Sequence, residues 1–176
     1  MGDPAALCRD FKPAFEADGT PVPPFTDSRA ANKLLGRSAN AFLIGLVLDQ
    51  QIPMARAWMG PYLLKRRLGH LNPKRIAAMP EEEFLQVMSE KPAVHRFPKS
   101  MGRRVQQACT VIAEDYGGKA DNIWRDQPDA TAVLKRIGTV PGIGKTKQGL
   151  AIMILGYFYG LEIPGWREAA PVNVPA

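Results

Sequence analysis

The stretch Thr139-Val-Pro-Gly-Ile-Gly-Lys-Thr-Lys147 decides how the rest of the chain is interpreted. Its Gly-Lys-Thr could end a nucleotide-binding loop, whereas its Pro-Gly-Ile-Gly could form the tight turn of a helical hairpin. A phosphate-cradling loop needs four residues between its first glycine and Gly-Lys-Thr, and it must follow a buried β-strand. Gly138 leaves five residues before Gly144, and residues 130–137 place their apolar side chains on one helical stripe. The stretch is therefore predicted to be a helical hairpin.

The predicted hairpin has the chemistry of a phosphate-binding corner. A first helix ends near Gly138, a tight turn follows, and a second helix begins near Lys145. Glycines at positions Gly142 and Gly144 let the backbone approach a phosphate without an intervening Cβ, and the free amides that open the second helix bind that phosphate. Ile143 is expected to point inward and to anchor the turn. Such a hairpin grips one DNA strand without reading its bases.

The composition of the chain favours a polyanionic partner. Its 176 residues carry a formal net charge of +6, and 45% of them are hydrophobic, which is enough to bury one sizeable core. Two segments are basic and poor in acid: residues 85–113, in which Glu90 is the one acid, and residues 130–161, which contain none. These segments indicate a surface that faces phosphate groups.

Helical patterns dominate the sequence from residue 38 onward. The apolar run of residues 39–48 shows no alternation and no hairpin turn, so it is interpreted as a buried helix. Asn72 and Asp129 are candidate N-cap residues. Prolines stand where four helices are expected to start: Pro53, Pro73, Pro80 and Pro98.

The chain is predicted to fold as an all-α domain of residues 38–176 with an N-terminal segment, residues 1–37, packed on it. That segment is expected to be an arm and a Pro-rich linker, because Thr20-Pro-Val-Pro-Pro-Phe25 lacks the amide donors that a helix needs. Residues 101–112 repeat apolar side chains at spacings of three and four, which predicts an amphipathic helix that ends near Gly117-Gly118.

The sequence offers no cluster of metal ligands. Cys8 and Cys109 lie far apart and form no CxxC pair, so no zinc site and no iron–sulfur cluster is expected. Acids at Asp3 and Asp10 argue against a signal peptide. The longest apolar runs fall short of the ~20 residues that span a bilayer. We expect a soluble cytoplasmic monomer with no membrane partner, associated with the nucleoid if the source is bacterial.

Two further stretches stand upstream of Pro-Gly-Ile-Gly: Leu46-Val-Leu-Asp-Gln-Gln-Ile52 and Phe97-Pro-Lys-Ser-Met-Gly-Arg-Arg104. In this order the three resemble motifs of the helix-hairpin-helix (HhH-GPD) DNA glycosylase superfamily, which includes endonuclease III, the mismatch-repair adenine glycosylase and the 3-methyladenine glycosylases. In that family the glutamine that corresponds to Gln51 projects toward the DNA near the lesion. The third stretch stands where the family has a loop and a helix start near DNA.

The resemblance covers residues 38–160 and implies a two-lobed helical fold. Duplex DNA would bind across the cleft between the lobes, with the damaged base turned out of the helix into that cleft. The DNA contacts that it implies are Gly142, Gly144, Lys145, Thr146, Lys147, Gln51 and Arg103. It also implies a monovalent cation, Na⁺ or K⁺, on the main-chain carbonyls of Gly138, Val140 and Ile143.

Base excision in this family depends on a carboxylate roughly twenty residues after the hairpin, which stabilises positive charge at the sugar carbon. Here that window reads Ile163-Pro-Gly-Trp-Arg167, and the nearest acid is Glu168, the candidate catalytic residue. Strand-cutting members have a lysine where this chain has Thr146. The expected function is therefore a monofunctional DNA glycosylase, a base-excision-repair hydrolase that cleaves the N-glycosidic bond of a damaged base. The alternatives are a catalytically inactive DNA-binding relative, which the missing aspartate favours, and a protein-interaction module.

Overall fold

Helices and turns make up the computed structural model, which describes residues 2–126 and 128–176. Within these residues the α-helices are, in chain order, α1 (Pro4–Asp10), α2 (Arg29–Arg37), α3 (Ala39–Leu48), α4 (Met54–Leu68), α5 (Pro73–Ala78), α6 (Glu81–Ser89), α7 (Pro98–Asp115), α8 (Ala130–Ile137), α9 (Lys145–Met153) and α10 (Trp166–Ala169). A 3₁₀ turn covers Ala120–Ile123, and a π-helical turn, Ile154–Phe158, follows α9. The described residues contain no β-strand, so the predicted all-α class is confirmed. None of their helices is both long and apolar enough to cross a bilayer.

Caps and prolines fix where several helices begin. The Asn72 side-chain oxygen accepts from two first-turn amides of α5 at 3.0 and 3.4 Å, and the Asp129 carboxylate accepts from an amide of α8 at 2.8 Å. Four helices start at or directly after the prolines that predicted them: Pro53, Pro73, Pro80 and Pro98. These predicted helix starts are confirmed.

Helix α3 lies at the centre of the fold, and its prediction as a buried helix is confirmed. Every residue from 41 to 48 is buried. Gly45 allows α4 to approach closely, since a Cβ there would lie 2.5 Å from a ring carbon of Trp58. The buried Trp58 ring packs against Phe25 and Phe42, with ring centroids 5.0 and 5.8 Å apart. This packing holds α3 against α4.

The N-terminal segment is more helical than the sequence predicted. Helices α1 and α2 both lie within residues 1–37, of which residue 1 is outside the described residues. Leu7 and Cys8 of α1 and Phe25 of the Pro-rich piece belong to the hydrophobic core. A helix of seven residues is not stable by itself in water, so α1 depends on this packing. Tertiary contacts of that kind leave little trace in local sequence pattern.

The helices form two lobes that share one hydrophobic core. Helices α2 to α7 pack together in the larger lobe, and α8 to α10 with the π-helical turn form the smaller one. Buried apolar side chains of both lobes belong to one continuous cluster. The connection between α8 and α9 is thereby held beside the carboxyl end of α3.

The apolar run after the hairpin, residues 150–158, does not form one regular α-helix. Helix α9 ends at Met153, and the next five residues form the π-helical turn. Gly156 in this turn lies under the ring of Trp166, where a Cβ would stand 2.2 Å from Cδ2. The missing side chain makes room for the indole, which closes the smaller lobe.

Candidate nucleic-acid interface

Residues 138–147 form the predicted hairpin, with α8 before it and α9 after it. Gly142 has a φ of 88°, a left-handed conformation that favours glycine. A Cβ at this position would also lie 2.6 Å from Cδ of Arg104. Ile143 is 4% exposed and anchors the turn in the core, as expected. One glycine torsion and one buried side chain therefore hold the hairpin in place.

The outer side of the hairpin leaves backbone amides available. Gly144 is exposed, and a Cβ there would meet nothing within 4 Å. In the described part of the chain, the amides of Gly142, Gly144, Lys145 and Thr146 donate to no acceptor. Lys145 and Thr146 are exposed beside them. The corner combines free donors, the positive end of the α9 dipole and a cation, which suits an anion.

A cavity of about 620 Å³, here named the hairpin groove, lies between the hairpin and the carboxyl end of α3. It is lined by residues 138–147 together with Asp49, Gln50, Gln51 and Arg104. Gln51 has a φ of 57°, which is uncommon for a residue other than glycine and costs on the order of 1–3 kcal/mol. Such strain is concentrated at functional sites, and here it falls on the glutamine that the sequence predicted to approach DNA.

A smaller cavity of about 260 Å³ adjoins the hairpin groove and shares Gln50, Gln51 and Arg104 with it. Arg104 Nη1 donates to Gln50 Oε1 at 3.2 Å. Phe97 also lines this cavity; its side chain is 42% exposed, and the Arg96 guanidinium stands 5.3 Å from the ring centroid. The three stretches singled out in the sequence therefore meet at one surface.

Two charged side chains are buried under the hairpin groove. Lys147 is 6% exposed, and its Nζ donates to the Val47 carbonyl at 2.8 Å. Asp49 is fully buried and accepts from Trp58 Nε1 at 3.2 Å. Burial lowers the pKa of Lys147 to about 8 against the opposing charge of Asp49, and burial raises the pKa of Asp49. A phosphate contact by Lys147 would require its ammonium to leave the Val47 carbonyl.

His95 supports the turn that carries Gln51. Its Nδ1 accepts from the Phe97 amide at 3.0 Å, which leaves the proton on Nε2 to donate to the Gln50 carbonyl, also at 3.0 Å. The imidazole is buried, and burial lowers its pKa. His95 therefore acts as a neutral brace between the start of α7 and the end of α3.

The residues predicted to contact DNA do not all line the hairpin groove. Six of them do: Gln51, Gly142, Gly144, Lys145, Thr146 and Lys147. Arg103 is exposed and pairs through Nε with Glu81 Oε1 at 2.9 Å. Its neighbour Arg104 lines the groove instead, a residue that sequence reasoning missed. The acid-poor segment indicated this region, but which arginine faces the hairpin depends on how α7 packs.

Glu168 lies apart from the hairpin groove. It is exposed on α10 and is not among the residues that line the groove. Helix α10 packs on α8 and α9, and the Arg167 guanidinium stands 4.5 Å from the ring centroid of Trp166. The carboxyl group that does line the groove is that of Asp49. Two acids are therefore placed in opposite settings, one exposed outside the groove and one buried within it.

The carbonyls predicted to hold a monovalent cation lie in the hairpin. The Gly138 carbonyl accepts no hydrogen bond from the described residues. The Val140 carbonyl accepts from the Ile143 amide at 3.1 Å, and the Ile143 carbonyl accepts from Gln148 Nε2 at 3.4 Å. Each carbonyl oxygen has two lone pairs, so all three retain capacity for a hard cation. Their chemistry fits Na⁺ or K⁺.

Side chains of the kind that bind transition metals are not grouped in the part of the chain that the structure describes. No set of three or more His, Cys, Asp or Glu residues there is arranged to hold a metal ion. Cys8 Sγ lies 3.5 Å from Met153 Sδ. Cys109 is buried, and burial raises its pKa to about 12. Both thiols behave as core side chains.

The fold is all-α, and its glycine hairpin lines the same groove as the strained Gln51 turn. Among solved structures, the chain is similar to endonuclease III in a trapped covalent intermediate with DNA, an estranged-adenine complex. The TM-score is 0.51 and the sequence identity 20%, over 70% of this chain and 49% of the endonuclease III chain. This chain therefore spans about half the length of that protein. No protein-family model matches it, and no curated protein matches it by sequence. The similarity shows the fold.

Proposed function

We propose that the protein binds duplex DNA at the hairpin groove and removes a damaged base from it by hydrolysis. The observation that carries this proposal is the meeting of three separate stretches, around Gln51, Arg104 and Gly142, at two adjoining cavities. The similar endonuclease III structure was trapped on DNA, which supports the same class of partner for this chain.

Strand binding in this proposal rests on the exposed corner of the hairpin. The amides of Gly144, Lys145 and Thr146 donate to a phosphate, and the Lys145 ammonium adds a positive charge beside it. A Na⁺ or K⁺ on the carbonyls of Gly138 and Val140 would add a further positive charge at the same phosphate. Such contacts position the strand and carry no sequence information. Gln51, which lines the same groove, would then enter the duplex.

Base removal needs negative charge near the sugar carbon as the glycosidic bond breaks. Two carboxyl groups are candidates for that role, Glu168 by its place in the sequence and Asp49 by its place in the groove. Hydrolysis without strand cleavage is the form of the reaction that we propose. It is supported by Thr146 at the position of the lyase lysine and by the engagement of the Lys147 ammonium with the Val47 carbonyl.

A second candidate function is DNA binding without catalysis. It is favoured by the settings of the same two acids, because Asp49 is 0% exposed and Glu168 lies outside the groove lining. In this case the hairpin groove would hold a strand, and no base would be released.

DNA binding is tested by titrating the protein into a fluorescent duplex and following anisotropy at several salt concentrations. Lys145→Glu should weaken binding about tenfold or more and flatten the dependence of affinity on salt. Lys91→Glu is the matched control, since it makes the same charge change at an exposed residue outside the groove lining. Equal weakening in both variants would remove the hairpin from the proposal.

Catalysis is tested by a panel of duplexes that carry alkylated, oxidised or deaminated bases, scored for abasic-site formation. Release of a base by the native chain supports the first candidate function. Asp49→Asn and Glu168→Gln then identify the carboxylate, provided that each still binds duplex DNA. Tight binding without base release across the panel would instead support the non-catalytic function.

A further inference from the structure

A second basic surface lies at the other end of α3 from the hairpin groove. Two cavities, of about 580 and 520 Å³, share Arg37 and Ser38, and we name the surface they form the Arg37 face. Ser38 precedes the first residue of α3, whereas Asp49 follows its last residue and lines the hairpin groove. Ten helical residues span roughly 15 Å. Since α3 is buried along residues 41–48, the two surfaces lie on different sides of the molecule.

Most cations of the Arg37 face are not held in ion pairs by the described residues. Four of them are exposed, and in the described part of the chain none forms an ion pair: Arg37, Lys65, Arg66 and Lys119. Asp121 in one of the cavities pairs with Arg125. The pKa of Asp18 is lowered by hydrogen bonds from Thr20 and also by the charge of Arg37, but the two side chains form no ion pair among the described residues. Like charges held together repel one another, so this face favours an anionic ligand.

Each cavity of the Arg37 face is also lined by at least one partly exposed aromatic side chain. Tyr62 lines the cavity that holds Lys65 and Arg66, and Trp124 lines the cavity that holds Lys119. The volumes lie within the range of about 300–1,000 Å³ that is typical of pockets for small organic molecules. A duplex keeps its bases stacked inside, whereas a single strand offers separate bases that fit such cavities.

We infer that the Arg37 face binds single-stranded nucleic acid, because its two cavities combine cations with aromatic side chains. The phosphates run along Arg37, Lys65, Arg66 and Lys119, and individual bases stack on Tyr62 and Trp124. Basic grooves with interspersed aromatic side chains bind single strands in this way, with about 1–3 kcal/mol per stacked base. The inference goes beyond the proposed function, because it concerns a different face and needs no base removal.

The test is direct binding of a fluorescent oligothymidylate of about twelve nucleotides, measured by anisotropy at low salt. All variants carry Lys145→Glu, so that the hairpin groove does not contribute. Lys65→Glu/Arg66→Glu should weaken binding about tenfold or more. The matched control is Lys12→Glu/Lys91→Glu, which makes the same charge change at exposed residues outside both cavities. That control should weaken binding less than about threefold.

A second pair of measurements separates stacking from charge and single strand from duplex. Tyr62→Leu should weaken oligothymidylate binding about fivefold or more, since it keeps an apolar side chain but removes the stacking surface. With the native hairpin, Lys65→Glu/Arg66→Glu should leave duplex affinity within about twofold of the control. The inference would be overturned if Lys65→Glu/Arg66→Glu and Lys12→Glu/Lys91→Glu weakened oligothymidylate binding equally. It would also be overturned if Lys65→Glu/Arg66→Glu weakened duplex binding as much as oligothymidylate binding. A negative result with oligothymidylate does not change the duplex-binding results. Failure of this inference can therefore be distinguished from failure of the proposed function.

Discussion

The hairpin and the C-terminal segment, residues 160–176, carry the two halves of the proposed chemistry and are built differently. In the hairpin, Gly142 adopts a left-handed torsion and Ile143 is buried in the core. The Lys147 ammonium donates a hydrogen bond to the Val47 carbonyl. In the C-terminal segment, α10 is four residues long, and Glu168 is exposed on it. The hairpin is anchored at several points, whereas no hydrogen bond or ion pair within the described residues fixes the carboxylate of Glu168.

This difference shows that packing supports strand binding, one part of the proposed function, better than it supports catalysis by Glu168. A binding corner needs amides fixed in space, and buried neighbours supply that rigidity. A catalytic carboxylate also needs to be held close to the reacting atom, within a site that excludes water. Asp49 has the rigid setting and Glu168 does not. Variants that loosen the hairpin should therefore have large effects, and variants in the C-terminal segment should have small ones.

The largest effect is expected from the two buried isoleucines, one in each region. Ile143→Ala removes the anchor of the hairpin, and Ile163→Ala removes a comparably buried side chain near α10, at 4% and 5% exposure. Each should lower the free energy of unfolding by about 3 kcal/mol, because each leaves a cavity in the core. Urea unfolding followed by circular dichroism measures this loss.

DNA affinity should separate these two variants although their stabilities match. Under conditions in which both remain folded, Ile143→Ala should lose duplex affinity because its amides are no longer fixed. Ile163→Ala should retain it. If both variants bound DNA as the native chain does, the anchored hairpin would not be the binding element.

A buried lysine gives the next largest effect, as a dependence of stability on pH. The pKa of Lys147 is about 8 in the folded chain against an ordinary value of 10.5. Between these values the unfolded chain binds a proton that the folded chain does not, so the free energy of unfolding rises with pH across this window. Lys147→Met removes that rise.

The native chain should therefore gain roughly 2 kcal/mol relative to Lys147→Met between about pH 8 and pH 10. The raised pKa of Cys109 acts in the opposite direction, but it is common to both proteins and cancels in the difference. Urea unfolding at several pH values measures the two curves. Parallel curves would show that the Lys147 ammonium is not buried in the folded chain.

Gly142 and Gly144 of the hairpin distinguish a structural position from a proposed binding position. Gly142→Ala should cost about 1–2 kcal/mol of stability, because it forces a left-handed torsion and its methyl group would displace Arg104. Gly144 has a φ of −79° and open space around its Cβ position. Gly144→Ala should leave stability within about 0.5 kcal/mol of the native value.

Duplex binding completes this comparison of the glycines. A methyl group at residue 144 stands between a phosphate and the free amides, so affinity should fall about fivefold through loss of charge-assisted hydrogen bonds. Thermal unfolding and anisotropy on the same samples give both quantities. Unchanged duplex affinity in Gly144→Ala would mean that the strand does not approach this corner.

The hairpin could be predicted from sequence because its determinants are local. Glycine torsions, a proline, an apolar anchor and the start of a helix all lie within a few residues of Gly142. The neighbours of the groove could be predicted only in part. The choice of Arg104 over Arg103 depends on how α7 rotates against the hairpin, and the burial of Lys147 depends on its reach to Val47, 100 residues away.

The N-terminal segment also shows that local sequence patterns do not predict structure that depends on distant contacts. Its helix α1 contributes Leu7 and Cys8 to a core built mainly from distant residues. Such a short helix gains its stability from tertiary packing, so its own pattern predicts little. Local rules predicted the hairpin, and long-range packing decided what surrounds it.

The smallest effect is expected from Glu168→Gln, and this makes the variant informative. The side chain is exposed and lies outside the groove lining, so stability should change by less than about 0.5 kcal/mol and duplex affinity by less than about twofold. Base release should also be retained, since a carboxylate so placed does not reach the groove. Because folding and binding are unaffected, a loss of base release greater than about a hundredfold in single-turnover assays would have to be chemical. That result would move the proposed catalytic centre from the hairpin groove to the C-terminal segment and reverse the contrast between the two regions.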